Sequence, residues 1–203
     1  MSTSASPLAL TVLALLHYKP LHPYGVQRLI KQWGKDQVVN VSQRASLYRT
    51  IDRLHAEGLI SVRETGRDHA YPERTVYELT DAGRQAARQW LEQMLALPKQ
   101  EYPRFPMALS HLMMITPLEA LRVLERRADL LAQTLAGMEA GLTAQADGLP
   151  RVSNLETEYL HAVTVAEERW VRSVIDDLRT GRLAWSAEEA AAFDQAAGPE
   201  TGA

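Results

Sequence analysis

Apolar residues in the first third of the chain recur at the spacing of helices that bury one or more faces. The run from about Leu8 to His17 is apolar nearly all round, which predicts a helix inside a core. A second helix is predicted from Pro23, because proline suits the first turn, to a stop at Gly34. The predicted buried face of this second helix consists of Val26, Leu29, Ile30 and Trp33.

A third helix is predicted in the segment SQRASLYRTIDRLHAEGLI, residues 42–60. Ser42 is suited to cap its N-terminus, and Gly58 is suited to end it. Its apolar residues follow the +4, +3 spacing of one buried helix face. They are Leu47, Ile51 and Leu54.

The other faces of this third helix carry mostly basic and polar side chains. The half of the chain that contains it, residues 1–90, holds 12 Lys/Arg against 8 Asp/Glu, whereas residues 91–203 hold 10 against 17. Such an asymmetry indicates an interaction surface on the basic half, although the net charge of the chain is only −3. The side chains on the non-apolar faces are Arg44, Tyr48, Arg49, Asp52 and Arg53.

A β-hairpin is predicted after the third helix, followed by a helix that Thr80 caps and that runs to about Leu97. The connection ETGRDHAYPER is too long and polar for a tight turn and carries Arg67, His69 and Arg74. The two predicted strands consist of Leu59, Ile60 and Val62, and of Thr75, Val76, Tyr77 and Leu79.

Three prolines between Pro98 and Met107 predict a domain boundary. We therefore predict a first domain at 1–97, a helical domain at 98–185 and a disordered tail at 186–203. In the helical domain, Thr116 with Glu119 forms a capping-box pattern at the start of a long helix. A second long helix is predicted over residues 154–180.

Both long helices carry apolar stripes that one small domain cannot cover, so we expect a second chain to pair with them. The first stripe consists of Leu118, Leu121, Leu124, Leu131, Leu135 and Met138, and the second of Leu155, Tyr159, Ala162, Val163, Ala166, Trp170, Val174 and Leu178.

Three helices followed by a hairpin is the order of a winged helix-turn-helix, in which the third helix lies in the DNA major groove. A helix that enters a duplex must be basic on its outer side, because the phosphates are closely spaced. The fold class is thus mainly α with a small β-hairpin, joined to a C-terminal helical dimerisation domain. The predicted DNA-contacting residues are Gln43, Arg44, Ser46, Tyr48, Arg49 and Arg53 on the helix, and Arg67, His69 and Arg74 on the wing.

The segments ASLYRTIDRLHAEGLI and VYELTDAGR resemble the PadR family of bacterial transcriptional regulators, as does HPYGVQRLI in the second helix. Ala45 departs from the pattern, since the family usually has glycine there. The resemblance covers roughly residues 8 to 97, and the long C-terminal helices look like the larger PadR subgroup, whose C-terminal helices form the dimer. The residues that carry the resemblance are Ala45, Ser46, Leu47, Tyr48, Glu57, Gly58, Leu59, Ile60, Tyr77, Leu79, Thr80 and Gly83.

Composition argues against several other classes of protein. The chain has no cysteine, which excludes disulfides, cysteine metal sites and a thiol nucleophile. It has no Gly-rich phosphate loop and no nucleophile elbow, so we expect neither an enzyme nor a bound cofactor. Glu158 and His161 have a spacing that can share a metal, but without a second pair we interpret them as surface residues. No apolar stretch approaches the roughly 18 residues of a membrane span, so we expect a cytoplasmic protein.

The sequence predicts a homodimeric repressor that binds double-stranded DNA at an inverted repeat with half-sites about 34 Å apart. The PadR resemblance adds a small-molecule effector, and a candidate pocket for it is formed by Met113, Met114, Tyr159 and Trp170, although these side chains fit an interface core better. One alternative is a winged-helix module that docks proteins and does not bind DNA. A further alternative is a ligand-binding or enzymatic helical protein.

Overall fold

The chain is mainly helical, with a single two-stranded antiparallel sheet in its described part. It divides into two compact units, Met1–Glu101 and Tyr102–Ala203. In the part that is described, no helix is both long and apolar enough to cross a membrane. The computed structural model describes residues 5–41, 44–66, 74–145, 150–189 and 192.

The first unit has the element order that the hydrophobic pattern predicts. A 3-10 turn at Lys35–Gln37 lies between the second and third helices. The described elements are α1 (Pro7–Tyr18), α2 (Pro23–Gln32), α3 (Arg44–Ala56), β1 (Ile60–Gly66), β2 (Arg74–Leu79) and α4 (Asp81–Ala96).

Local chemistry sets the ends of these helices. The Nδ1 atom of His22 accepts a hydrogen bond from the backbone N–H of Gly25 at 2.9 Å, so that histidine caps α2. Gly34 and Gly58 have φ angles of 65° and 69°, a left-handed conformation that glycine adopts without steric cost. The predicted stop of α3 at Gly58 is confirmed.

The core of the first unit is built from one face of each helix. Leu47, Ile51 and Leu54 of α3 are at most 2% exposed, as predicted, and they belong to the same cluster as residues of α1 and α2. The prediction that Trp33 is buried is wrong, since its side chain is 47% exposed. Because α2 ends at Gln32, Trp33 falls on the cap, where its ring makes an edge contact with Tyr18.

The β-hairpin is tied to the connection between α1 and α2. Ile60 pairs with Leu79, and a register irregularity follows at Val62. Tyr77 of β2 also exchanges backbone hydrogen bonds with Leu21, at 3.0 and 2.9 Å. The strand that leads out of the wing is therefore held by the chain that leads into α2.

The segment ELTDAG joins β2 to α4 through Thr80 and Gly83. The Thr80 hydroxyl accepts from the N–H of Gly83 at 3.0 Å and lies 2.8 Å from the Gly58 carbonyl, to which it donates. A Cβ atom on Gly83 would lie 2.0 Å from the carbonyl oxygen of Leu59. Glycine is therefore required here by the close approach of α4 to the chain that follows α3.

The second unit is a helical hairpin preceded by short helices. Thr116 and Glu119 form the predicted capping box: the N–H of Thr116 donates to Glu119 Oε2 at 2.8 Å, and the N–H of Glu119 donates to Thr116 Oγ1 at 3.3 Å. The Thr116 N–H and the Thr116 hydroxyl both donate to the Glu119 carboxylate, and these two bonds lower the pKa of Glu119 below its usual range. The elements are α5 (Arg104–Leu109), 3-10 turns at Leu112–Met114 and Arg151–Asn154, α6 (Pro117–Gln145) and α7 (Leu155–Arg179).

Helices α6 and α7 pack through a short apolar core and ion pairs. Arg179 Nη2 lies 2.6 Å from Glu125 Oε1, and Arg127 pairs with Glu167. The buried core consists of Leu124, Ala128, Val171 and Ile175.

The apolar stripes predicted on α6 and α7 match this packing only in part. Val174 and Leu178 do pack against the core, as Leu121, Leu124 and Leu131 do. Leu118 of the α6 stripe is 57% exposed in the single chain. The rest of the α7 stripe is exposed in the single chain: Leu155, Tyr159, Ala162, Val163, Ala166 and Trp170.

The domain limits at 97 and 185 stay predictions. The division into units falls after Glu101, within the proline-rich segment. Near the predicted start of the tail, Trp185 Nε1 donates to the Ile115 carbonyl at 2.9 Å. Of residues 186–203, only 186–189 and 192 are described.

Candidate nucleic-acid interface

The outer side of α3 is the candidate interface, and most of its predicted contact residues are accessible. Arg44 and Arg49 are exposed, and Tyr48 is 47% exposed. Ser46 and Arg53 are partly buried. The helix therefore has an apolar back and an accessible front that carries positive charge.

The crest of α3 is the row of residues opposite its buried face. Ala45, Arg49, Asp52 and Ala56 are offset by two positions from the buried residues, which is about 200° around the helix. All four are exposed. The crest thus carries one cation and one anion at its centre and a small residue at each end.

Two side chains of the predicted contact set are already engaged within the protein. Arg49 Nε donates to the carbonyl of Ala45 at 3.2 Å, which aims the guanidinium toward the first turn of α3. The partly buried Arg53 also has an interaction partner. Because Arg44 and Arg49 are exposed, they are nevertheless the better placed of the α3 arginines for contact with a ligand in front of the helix.

The remaining predicted contacts fall at or beyond the edge of the described residues. Gln43, Arg67 and His69 lie outside them, as does the predicted cap Ser42. Arg74 is the first residue of β2, and only its backbone is described. Their contact with DNA stays a prediction.

A ring contact that the sequence pattern did not predict supports the C-terminal end of α3. The rings of His55 and Tyr77 meet edge to face with centroids 5.8 Å apart, and His55 Nδ1 lies 3.1 Å from the Ile60 carbonyl. Burial, and secondarily the charge of Asp52, raises the pKa of Tyr77. In the sequence, Tyr77 stood out only as part of a motif. Its ring contact with His55 was not predicted because the two residues lie 22 positions apart.

The candidate effector residues lie in different parts of the second unit. Met113 is partly buried, whereas Met114 is 84% and Tyr159 69% exposed. Tyr159 and Trp170 are 11 positions apart on α7, or about 16 Å at the rise of an α-helix. Trp170 meets Phe105 edge to face, and the Arg127 guanidinium stacks 3.6 Å from the centre of the Phe105 ring.

The fold and the basic helix define a winged helix-turn-helix protein of the transcription-regulator class. Residues 12–89 match the family model described as "Transcriptional regulator PadR-like family". Over these residues the first unit is therefore similar to the PadR-like family, as its motifs indicated.

Several solved structures with a similar fold are PadR regulators. The chain is 18% identical to Bacillus subtilis PadR in complex with operator DNA, with a TM-score of 0.70 over 85% of this chain and 99% of that one. For the same regulator with p-coumaric acid, the identity is 18%, the TM-score 0.69 and the coverage 85% and 98%. A PadR-like regulator from Bacillus cereus is 16% identical, with a TM-score of 0.61 and coverage of 86% and 99%. At these identities the likeness concerns the fold, and no curated protein matches the chain.

Proposed function

We propose that this protein is a homodimeric transcriptional repressor that binds an inverted-repeat operator in double-stranded DNA. The observation that carries the proposal is the two-sided character of α3, which has a fully buried apolar back and exposed arginines in front. The fixed back lowers the ordering cost of binding, and the exposed guanidinium groups match phosphate oxygens and the O6/N7 edge of guanine. The similar fold of a regulator solved with operator DNA supports the same interpretation.

The dependence of DNA binding on salt tests this function. If the two subunits together make about four to six phosphate contacts, the affinity for duplex DNA falls about 10² to 10³ fold between 50 and 200 mM salt, because bound counterions are released. Fluorescence anisotropy with a labelled duplex measures this slope. The absence of duplex binding at 50 mM salt would contradict the proposal and favour a module that docks proteins instead.

The proposal of a dimer rests on the exposed apolar side chains on the outer side of α7, which we call the outer α7 stripe. Val163 is 47% and Tyr159 is 69% exposed, although both are large and apolar or aromatic. A second copy of the chain that covers this face would remove the apolar surface from water. The outer α7 stripe consists of Leu155, Tyr159, Ala162, Val163, Ala166 and Trp170.

A charge placed within the outer α7 stripe should dissociate this dimer. Val163→Glu is expected to weaken self-association at least about 100-fold, because it buries a carboxylate without a partner. Val38→Glu is a matched control, since Val38 is 43% exposed but lies in the first unit. Sedimentation equilibrium measures both. A monomeric wild-type chain, or equal dimerisation of the two variants, would contradict the proposed interface.

Release by a small-molecule effector is the last part of the proposed function. Met113, Met114, Tyr159 and Trp170 remain its proposed contacts, and Trp170 already lies in an aromatic cluster with Phe105. A ligand releases the operator only if it favours one dimer geometry over another. The structure solved with p-coumaric acid shows that a regulator with a similar fold binds an aromatic acid.

A further inference from the structure

Asp52 is the acidic residue on the crest of α3, and its position needs a physical explanation. It lies one turn after Tyr48 and on the same row as Arg49, opposite the buried face. If α3 lies in the major groove, this carboxylate faces the floor of the groove with phosphates on both sides. An anion in that place weakens binding to every sequence unless a hydrogen-bond donor on a base meets it.

One role for such a carboxylate would be to orient a neighbouring arginine. The geometry argues against this role for Arg49, since its Nε atom is bonded at 3.2 Å to the carbonyl of Ala45, in the preceding turn. The guanidinium of Arg49 is thereby aimed toward the N-terminal end of α3, whereas Asp52 follows it by three residues. Asp52 is exposed at the centre of the crest, so its carboxylate is accessible from the groove side.

The base edges in the major groove offer a specific partner for this group. Cytosine presents its N4 amino group as a donor there, and Asp or Glu is the side chain that accepts from it. Guanine presents acceptors, which Asp52 would repel and which Arg49 matches. The small residues Ala45 and Ala56 at the two ends of the crest leave room for the backbone of α3 to approach the bases.

We propose that Asp52 determines sequence specificity by accepting a hydrogen bond from the N4 amino group of a cytosine in each half-site. The inference rests on the proposed function, because it requires α3 to enter the major groove. Asp52 then selects against other bases at one position and at the same time lowers the affinity for all DNA.

Selection from randomised duplex DNA with the full-length chain tests this proposal. We expect the wild-type motif to contain one C·G pair per half-site whose preference, about tenfold or more, falls below about twofold in Asp52→Ala. Asp52→Asn is expected to shift the same position toward adenine, because asparagine pairs with adenine N6 and N7. Both variants should bind non-specific DNA more tightly than the wild type, since a negative charge has been removed.

A matched control separates specificity from charge. Glu57→Gln removes the same charge just beyond the end of α3 at an exposed position, and it should leave the motif unchanged. An unchanged motif in Asp52→Ala, or an equal loss of affinity for all sequences, would overturn the role of Asp52. If the wild-type chain selects no motif and binds no duplex, the proposed function itself fails, and that outcome is distinct from the first two.

Discussion

Arg44→Ala/Arg49→Ala should abolish specific operator binding while the protein remains folded and self-associated. Both side chains are exposed on α3 and contribute nothing to its buried face. Each arginine that contacts a guanine or a phosphate contributes about 1–3 kcal/mol, so the loss in one half-site alone is at least about 30-fold. With two half-sites per dimer, we expect a loss of at least about 1000-fold in anisotropy titrations. Arg53 is left out because its side chain is partly buried.

The control for this double variant removes two positive charges from positions outside α3. Arg88→Ala/Arg122→Ala deletes two exposed arginines, one on α4 and one on α6. It should lower the affinity only slightly, because distant charges act through the general field of the protein and are screened by salt. Equal losses in the two double variants would mean that α3 is not the DNA-contacting element.

Gly83→Ala should strongly destabilise the first unit. The new Cβ would lie 2.0 Å from the Leu59 carbonyl oxygen and 2.7 Å from Leu79 Cδ1, and the first of these neighbours is backbone. Relief requires α4 to move away from the chain between α3 and β1, at a cost of about 3 kcal/mol. For a unit of this size, the expected fall in Tm is about 10–20 °C.

Gly25→Ala is the control for this effect, because it makes the same chemical change in the same unit. Its Cβ would meet Leu21 Cδ2 at 3.4 Å, an ordinary contact with a side chain. We expect its Tm to stay within a few degrees of the wild type in thermal unfolding followed by circular dichroism. A Gly83→Ala variant that melts with the wild type would show that α4 does not pack as closely as the structure has it.

Local periodicity was sufficient to predict the first unit, because its elements are short and each buries one face. The buried side of α3 followed directly from the spacing of Leu47, Ile51 and Leu54. The prediction that Trp33 is buried was wrong because α2 ends one residue before it. A side chain beyond the last helical turn no longer follows the helical period.

The packing of the two long helices could not be predicted from periodicity alone. Helix α7 has apolar residues on more than one side. Val171 and Ile175, which were absent from the predicted stripe, are the α7 residues buried in the core with α6, and Val174 and Leu178 of the stripe are only partly buried against it. Periodicity detects an apolar face, but the choice of what covers it depends on contacts between residues far apart in sequence. The ring contact between His55 and Tyr77 escaped prediction for the same reason.

The sequence predicted which residues form the candidate site, but not the conformations of their side chains. That Arg44, Tyr48 and Arg49 are exposed follows from the helical period. Side-chain rotamers and the surrounding chain, which the sequence pattern does not specify, decide two other features. These are the hydrogen bond from Arg49 to the Ala45 carbonyl and the partial burial of Arg53.

Dimethyl sulfate footprinting of a selected operator tests most directly whether the front of α3 lies in the major groove, because the reagent methylates guanine N7 on that side of the duplex. This placement of α3 predicts two symmetric clusters of protected guanines, centred about 34 Å apart and lost in Arg44→Ala/Arg49→Ala. Tight binding that leaves every guanine N7 as reactive as in free DNA would contradict it.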